Sequence, residues 1–360
     1  MKIYLDIIHP ATLHFFRRFM GIMESNGHEF LVSAKDKDVT LELLNHYKIE
    51  YINRGKAASS FIGKVFNIIR ADIRLFAKVK SFAPDLIISF GSPVAAHIAF
   101  LLRKPCIAIE DTECANLAHK SYIPFSRVVL TPSCFGKDFG KKGIAFKGYK
   151  ELAYLHPSYF KVGSKVHELL GIKPKEQYTI VRFVSRNASH DFGVQGISDD
   201  LKVRLVERLS SYSKVFITSE DRIPAQIERY KISIPPWRMH DVIAKASLLI
   251  GESATMAAES AMLGVPAIFI DNQGRGYTDE LEKYGLVYNF ISSPGRINNA
   301  INKAIELLKM QERKTIFQQR RNQMLAEKID VTAFMVWFVE NYPKSVEVMK
   351  ENTEFQSKFK

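Results

Sequence analysis

Apolar and polar positions follow two rhythms along the chain. Short apolar runs at residues 2–8, 29–33, 85–89, 105–109 and 127–130 predict strands, and residues 15–25 and 61–82 carry apolar side chains at helical spacing. Asn26-Gly27-His28 supplies a helix stop, and Ala83-Pro84-Asp85 ends the long helix and opens the next strand. Between residues 130 and 174 the periodicity weakens into a glycine-rich return segment, read as a linker. The alternation then restarts with strands at 178–184 and 214–218 and helices near 199–212 and 238–246. Helices are expected over 294–327 and 331–341, followed by a charged tail from 343 that frays. Strands alternating with helices in two successive blocks predict an α/β chain with two mostly parallel, doubly wound sheets.

The most informative stretch is residues 247–271, SLLIGESATMAAESAMLGVPAIFID. It reads as strand, small-residue turn, helix, turn and strand, the layout of a βαβ unit. Ser253 is the N-cap candidate, and Ala254 and Thr255 are small enough for a ligand to approach the helix start. Those amides and the positive end of the helix dipole suit a diphosphate. Glu259 lies about 1.5 turns further on, where a carboxylate can accept hydrogen bonds from the vicinal hydroxyls of a ribose. From the pattern alone, an ordinary capped helix with a solvated glutamate fits equally well.

In doubly wound sheets ligands gather at the carboxyl ends of the strands. That rule selects His9 after the first strand, Gly91-Ser92-Pro93 after the strand at 85–89, and Glu110-Asp111-Thr112-Glu113 after the strand at 105–109. Three acids in four residues suit a general base or a hydroxyl-binding group, a solvated loop or, with further ligands, a metal. In the second half the rule selects Ser185, Arg186 and His190, then Asn272 and Gln273, which offer donors and acceptors to sugar hydroxyls.

Composition narrows these readings. With 46% hydrophobic and 25% charged residues, 360 residues suffice for two cores. The expected division is 1–160, 161–342 and a tail at 343–360. Cys106, Cys114 and Cys134 have neither disulfide nor zinc spacing, which points to a reducing, cytoplasmic compartment and core roles. No signal peptide or membrane span is expected. The net charge of +13 falls mostly in residues 1–150, so an anionic surface or acceptor is expected there. No nucleic-acid module is recognisable, and no nucleic-acid partner is expected. The helix at 59–82, with basic residues between apolar ones, suits either an anionic membrane surface or a domain face with snorkelling lysines and arginines.

With these motifs in view, the chain resembles the GT-B glycosyltransferase architecture, two Rossmann-like domains facing a central cleft. GESATMAAESAMLGVP is similar to the donor-binding region of the non-hydrolysing UDP-N-acetylglucosamine 2-epimerases and of the N-acetylglucosaminyltransferase that makes lipid II. DIIHPATLHFFRRF, FGSPVAAHIA, IEDTECA, GYKELAYLHP and VRFVSRNASHDFG resemble an uncharacterised archaeal and bacterial family of the same superfamily.

The resemblance implies a UDP-sugar as substrate, with no bound cofactor and no obligatory metal. Ser253, Ala254 and Thr255 would meet the diphosphate, Glu259 the ribose, and Arg186 the leaving group. Residues 150–175 would act as the hinge between domains. His9 or Glu110 would deprotonate an acceptor, which would be a glycan or lipid-linked molecule at the inner face of a membrane. The epimerases have a catalytic aspartate where this chain has Ser89-Phe90-Gly91-Ser92, which places epimerisation second. A nucleotide-sugar-binding protein without turnover is the reading from another class.

Overall fold

The computed structural model describes residues 1–56, 61–185, 196–291 and 295–360. The chain forms two units, Met1–Tyr154 together with Lys328–Lys360, and Leu155–Glu327.

The first unit is built on seven parallel strands: β1 Lys2–Ile7, β2 Glu29–Asp36, β3 Ile52–Lys56, β4 Leu86–Phe90, β5 Cys106–Ile109, β6 Val128–Pro132 and β7 Gly143–Phe146. Their order is β3-β2-β1-β4-β5-β6-β7, so the chain winds outward from β1 and then restarts beside it at β4. Side chains in the central strands are buried on both faces, which is why LIISF and CIAI read as continuous apolar runs. Asp6 in β1 stands in register with Ser89 in β4, so the topological switch point lies where these two strands end.

The second unit carries β8 Tyr178–Phe183, β9 Lys214–Ser219, β10 Leu248–Gly251, β11 Ala267–Asp271 and β12 Val287–Ile291, all parallel, in the order β12-β11-β10-β8-β9. Its switch point lies between β8 and β10. There a Cβ on Gly251 would stand 2.1 Å from the Arg182 carbonyl oxygen, so only glycine lets β10 end this close to β8.

The C-terminal segment differs from the expected division. Residues 328–342, expected in the second domain, belong to the first unit, and the first crossing falls after Tyr154 rather than at 160. Beyond 343 the chain does not fray but forms the helix Lys344–Glu351 and a 3-10 turn over Thr353–Phe359. Aromatic packing explains this. Trp337 of the helix Val331–Glu340 packs on Phe355 and Phe359, while Phe334 meets Phe359 edge-on and reaches Phe146 of β7. Gln356 accepts a hydrogen bond from the Lys147 amide at 2.6 Å, and Thr332 Oγ1 donates to the Ala153 carbonyl at 2.8 Å. Charge in the tail's sequence concealed an amphipathic helix.

Candidate functional site

The second unit places its candidate residues around the end of β10. Ser253 caps the helix Ala254–Met262, its Oγ accepting from the Met256 amide at 3.2 Å. Ala254 and Thr255 form the first turn and are half-buried. Glu259 follows on the same helix but is buried, and its Oε1 lies 2.9 Å from Nε2 of His240, which is buried as well. His240 belongs to the helix Met239–Lys245, and Phe160 meets its ring edge-on. Glu259 is therefore held by a neighbouring helix rather than left to solvent. No periodic signal in the sequence singled out His240.

Glu252 was read only as part of the turn, yet it organises this strand end. Its buried carboxylate accepts from the Ile197 amide at 3.0 Å and the Val184 amide at 3.4 Å. It thereby joins both flanks of the segment carrying Arg186 and His190. Those two residues lie outside the described residues. Ser185 does lie at the end of β8, but its amide and hydroxyl both donate to Glu220 Oε2, at 3.0 and 3.2 Å, and Glu220 also pairs with Arg182. For Ser185 to hold a phosphate, the phosphate must take the place of this carboxylate.

Asn272 and Gln273 follow β11, where the Asn272 amide donates to Asp271 Oδ1 at 2.6 Å and Gln273 is exposed. The buried Arg275 guanidinium curls back to donate to the carbonyls of Gln273 and Gly274, each at 3.0 Å, with Asp271 3.6 Å away. These bonds from the arginine fix the shape of the loop between Gly274 and Gly276.

In the first unit the switch point holds a closed polar network. Asp6 is fully buried and accepts hydrogen bonds from Ser33 Oγ at 2.6 Å, from Ser92 Oγ and from the Arg54 guanidinium. Ser92 also caps the helix Pro93–Leu102. A single acid inside an apolar strand carries no period, so nothing in the sequence marks Asp6 or its partner Arg54.

One strand along, Glu110 is buried with both oxygens engaged. Oε1 accepts from the amides of Asp111 and Thr112 at 3.0 and 2.8 Å, and Oε2 accepts from the Tyr122 hydroxyl, with His119 Nε2 3.3 Å away. Burial, with the Glu110 carboxylate beside it, pushes the Tyr122 phenol far above its usual range, so Tyr122 stays a donor. A Cβ on Gly91 would come within 3.2 Å of Glu110 Oε2, and Gly91 has φ +58°, so two constraints select glycine there. Asp111 lies 2.7 Å from Lys150 Nζ, both buried, and Lys150 also approaches Glu151 at 3.5 Å. Among the described residues no group of three or more His, Cys, Asp or Glu is placed to hold a metal ion.

His9 is more accessible, with 41% of its side chain exposed. It caps the helix Pro10–Ser25 through Nδ1, which accepts from the Ala11 amide at 3.2 Å, and its Nε2 lies 3.7 Å from Asp38 Oδ2. Of the two candidate bases, Glu110 is locked in hydrogen bonds and His9 is not buried.

Two parallel α/β units with ligand-type strand ends at their switch points define a chain of two Rossmann-like domains, matching the GT-B glycosyltransferase and epimerase folds. Within that class the chain belongs to the family described as protein of unknown function (DUF354), which it matches over residues 1–344. It is 24% identical over 279 residues to the uncharacterized protein MJ0665 of Methanocaldococcus jannaschii, covering 74% of this chain and 81% of that one.

Its structural neighbours are GT-B transferases and UDP-GlcNAc 2-epimerases. The S. aureus MnaA–UDP structure matches with a TM-score of 0.67 at 10% identity, over 96% of this chain and 97% of that one. The Streptomyces sp. SF2575 glycosyltransferase SsfS6, complexed with thymidine diphosphate, gives 0.61 at 12% identity, over 94% and 99%. The Neisseria meningitidis UDP-GlcNAc 2-epimerase bound to UDP-GlcNAc gives 0.57 at 12% identity, over 90% and 99%. At these identities the likeness is one of fold.

Proposed function

We propose that the protein is a nucleotide-sugar-dependent glycosyltransferase, acting on a glycan or lipid-linked acceptor in cell-surface glycan synthesis. The observation that carries the reading is the end of β10, where Gly251, the Ser253-capped helix start and a buried, hydrogen-bonded Glu259 follow within nine residues. The first-turn amides at Ala254 and Thr255 would receive the diphosphate of a UDP-sugar, and Glu259 the ribose hydroxyls. Asn272 and Gln273 would contact the sugar, with Ser185 and Arg186 at the phosphates. As the sugar–phosphate bond breaks, charge grows on the leaving diphosphate, and fixed N–H donors stabilise it without reorganisation.

The acceptor would be activated in the first unit by His9. The Asp38 carboxylate, 3.7 Å from Nε2, would stabilise the imidazolium that forms, and release of the 3.2 Å cap bond to Ala11 would expose the Nδ1 lone pair to the acceptor hydroxyl proton. Glu110 holds the strand-end loop instead. Epimerisation ranks second because it needs carboxylic groups that exchange protons at the sugar. The carboxylate beside the end of β4 is Asp6 of β1, in register with Ser89 and fixed by Arg54 and two serines, and Glu110 is saturated.

Incubation of the pure protein with UDP-sugars, followed by NMR, tests the assignment. The reading expects UDP binding by calorimetry, no epimer without acceptor, and UDP release when a lipid-linked glycan is supplied. Epimer formed without acceptor overturns it in favour of the second reading. Binding with no release for any acceptor assigns the chain to nucleotide-sugar binding alone.

A further inference from the structure

Of the eight large apolar side chains exposed among the described residues, four fall on three helices of the first unit, the middle one of which packs against the other two. These are Ile73 on Phe61–Phe82, Phe100 and Leu101 on Pro93–Leu102, and Leu117 on Asn116–Tyr122, exposed by 74, 63, 59 and 59%. His97 pins the three helices together, its Nδ1 lying 2.9 Å from Asp72 and its Nε2 3.0 Å from the Ser121 carbonyl oxygen. By helical spacing Phe100 and Leu101 follow His97 by one turn, and Leu117 precedes Ser121 by one turn. The pin therefore holds together three helices that each carry an exposed apolar side chain. Single exposed leucines need no explanation, but such a cluster does.

Charge identifies the partner. Arg70, Arg74 and Lys78 on the first helix, Arg103 and Lys104 after the second, and Lys120 on the third are all exposed. The three helices carry one acid, Asp72, which the histidine already engages. Aromatic and aliphatic side chains standing out among cations, with the single acid paired to a histidine, match the boundary of an anionic bilayer. We infer that this three-helix face docks the protein onto anionic phospholipid membrane, Phe100 and Leu101 entering the acyl boundary while the arginines and lysines meet headgroup phosphates. Among the described residues no helix is long and apolar enough to span a bilayer, so the proposed contact is peripheral. The inference stands apart from the nucleotide site, which lies in the other unit.

Flotation of the full chain with vesicles tests it. The protein should float with phosphatidylglycerol-containing vesicles and not with pure phosphatidylcholine. Removing the apolar anchors in a Phe100→Ser/Leu101→Ser variant should abolish binding at about 0.15 M salt, where charge alone is screened. Arg70→Glu and Arg74→Glu should each weaken it by about fivefold or more, since one basic residue near the surface is worth roughly that factor. An unchanged circular dichroism spectrum and urea unfolding midpoint in these variants show that they fold, whether or not the chain binds a nucleotide, and so separate this test from that of the nucleotide reading. The docking assignment is overturned if the wild type ignores anionic vesicles. It is also overturned if the serine variant floats as well as wild type, which leaves only a polyanion site. A concentration-dependent dimer that the serine variant loses would instead assign the face to a second copy of the chain.

Discussion

Glu259 and His240 meet at 2.9 Å between two buried helices, Nε2–H donating to the carboxylate. The pairing sets the orientation of the carboxylate before any ligand arrives. If Glu259 receives ribose hydroxyls, Glu259→Ala weakens UDP binding by about 1.5–3 kcal/mol, the range for hydrogen bonds to a charged group. Calorimetry checks this, and unchanged affinity would remove Glu259 from the site. His240→Ala leaves Glu259 buried without this donor and should lower stability to urea by about 1–3 kcal/mol. Its UDP affinity should fall less than that of Glu259→Ala, because the carboxylate remains but is less well oriented.

The Lys150–Asp111 pair makes a different kind of claim, about folding rather than binding. Both partners are buried at 2.7 Å, so removing one charge strands the other in low dielectric. Lys150→Met should cost about 3–5 kcal/mol in urea unfolding, whereas Lys150→Met combined with Asp111→Leu should recover much of the loss. An additive double variant would mean that the two charges do not depend on each other.

Much of this fold was legible because central parallel strands are buried on both faces and announce themselves as apolar runs. The strands that escaped, β3, β7 and β12, are sheet edges. INRGK and VYNFI are only partly buried, so their sequences carry polar residues and lose the signal. The site divides along a similar line. Ser253 was readable because capping is local in sequence, whereas the need for glycine at 251 comes from the Arg182 carbonyl on a neighbouring strand. Asp6 with Arg54, Glu252 with Ile197, and Glu259 with His240 join residues 48, 55 and 19 positions apart. Such pairs follow from topology, and no window of sequence contains them. Glu110 shows the converse: the acidic loop was visible, but whether its acid is offered to a ligand or consumed by Tyr122 and two amides depends on the fold.

His97 gives the fold a dependence on pH. Its hydrogen bond to Asp72 raises its pKa above the ordinary 6.5, against the opposing effect of partial burial. A histidine whose folded pKa is raised binds its proton more tightly in the native state. The resulting stability is fully present below about pH 6.5 and is lost as pH rises through the higher folded value. Urea unfolding between pH 5.5 and 8.5 should show wild type losing stability relative to Asp72→Asn across that window. Parallel curves for the two proteins would rule out the coupling.

His9 carries the catalytic claim, and its geometry separates that claim from a capping role. As an N-cap, His9 contributes about 1 kcal/mol or less to helix stability, and a His9→Asn variant keeps a capping side chain. As a general base it contributes on the order of 10²–10⁴ in rate. His9→Asn should therefore retain wild-type stability and UDP affinity while losing transfer to acceptor by roughly that factor. Asp38→Asn, which keeps a polar group near Nε2 but removes the charge, should reduce transfer less and leave UDP affinity unchanged. In contrast, Glu110→Gln should act mainly on stability, because its carboxylate is spent on Tyr122, Thr112 and Asp111. Transfer that survives in His9→Asn and disappears in a folded Glu110→Gln would reverse the assignment.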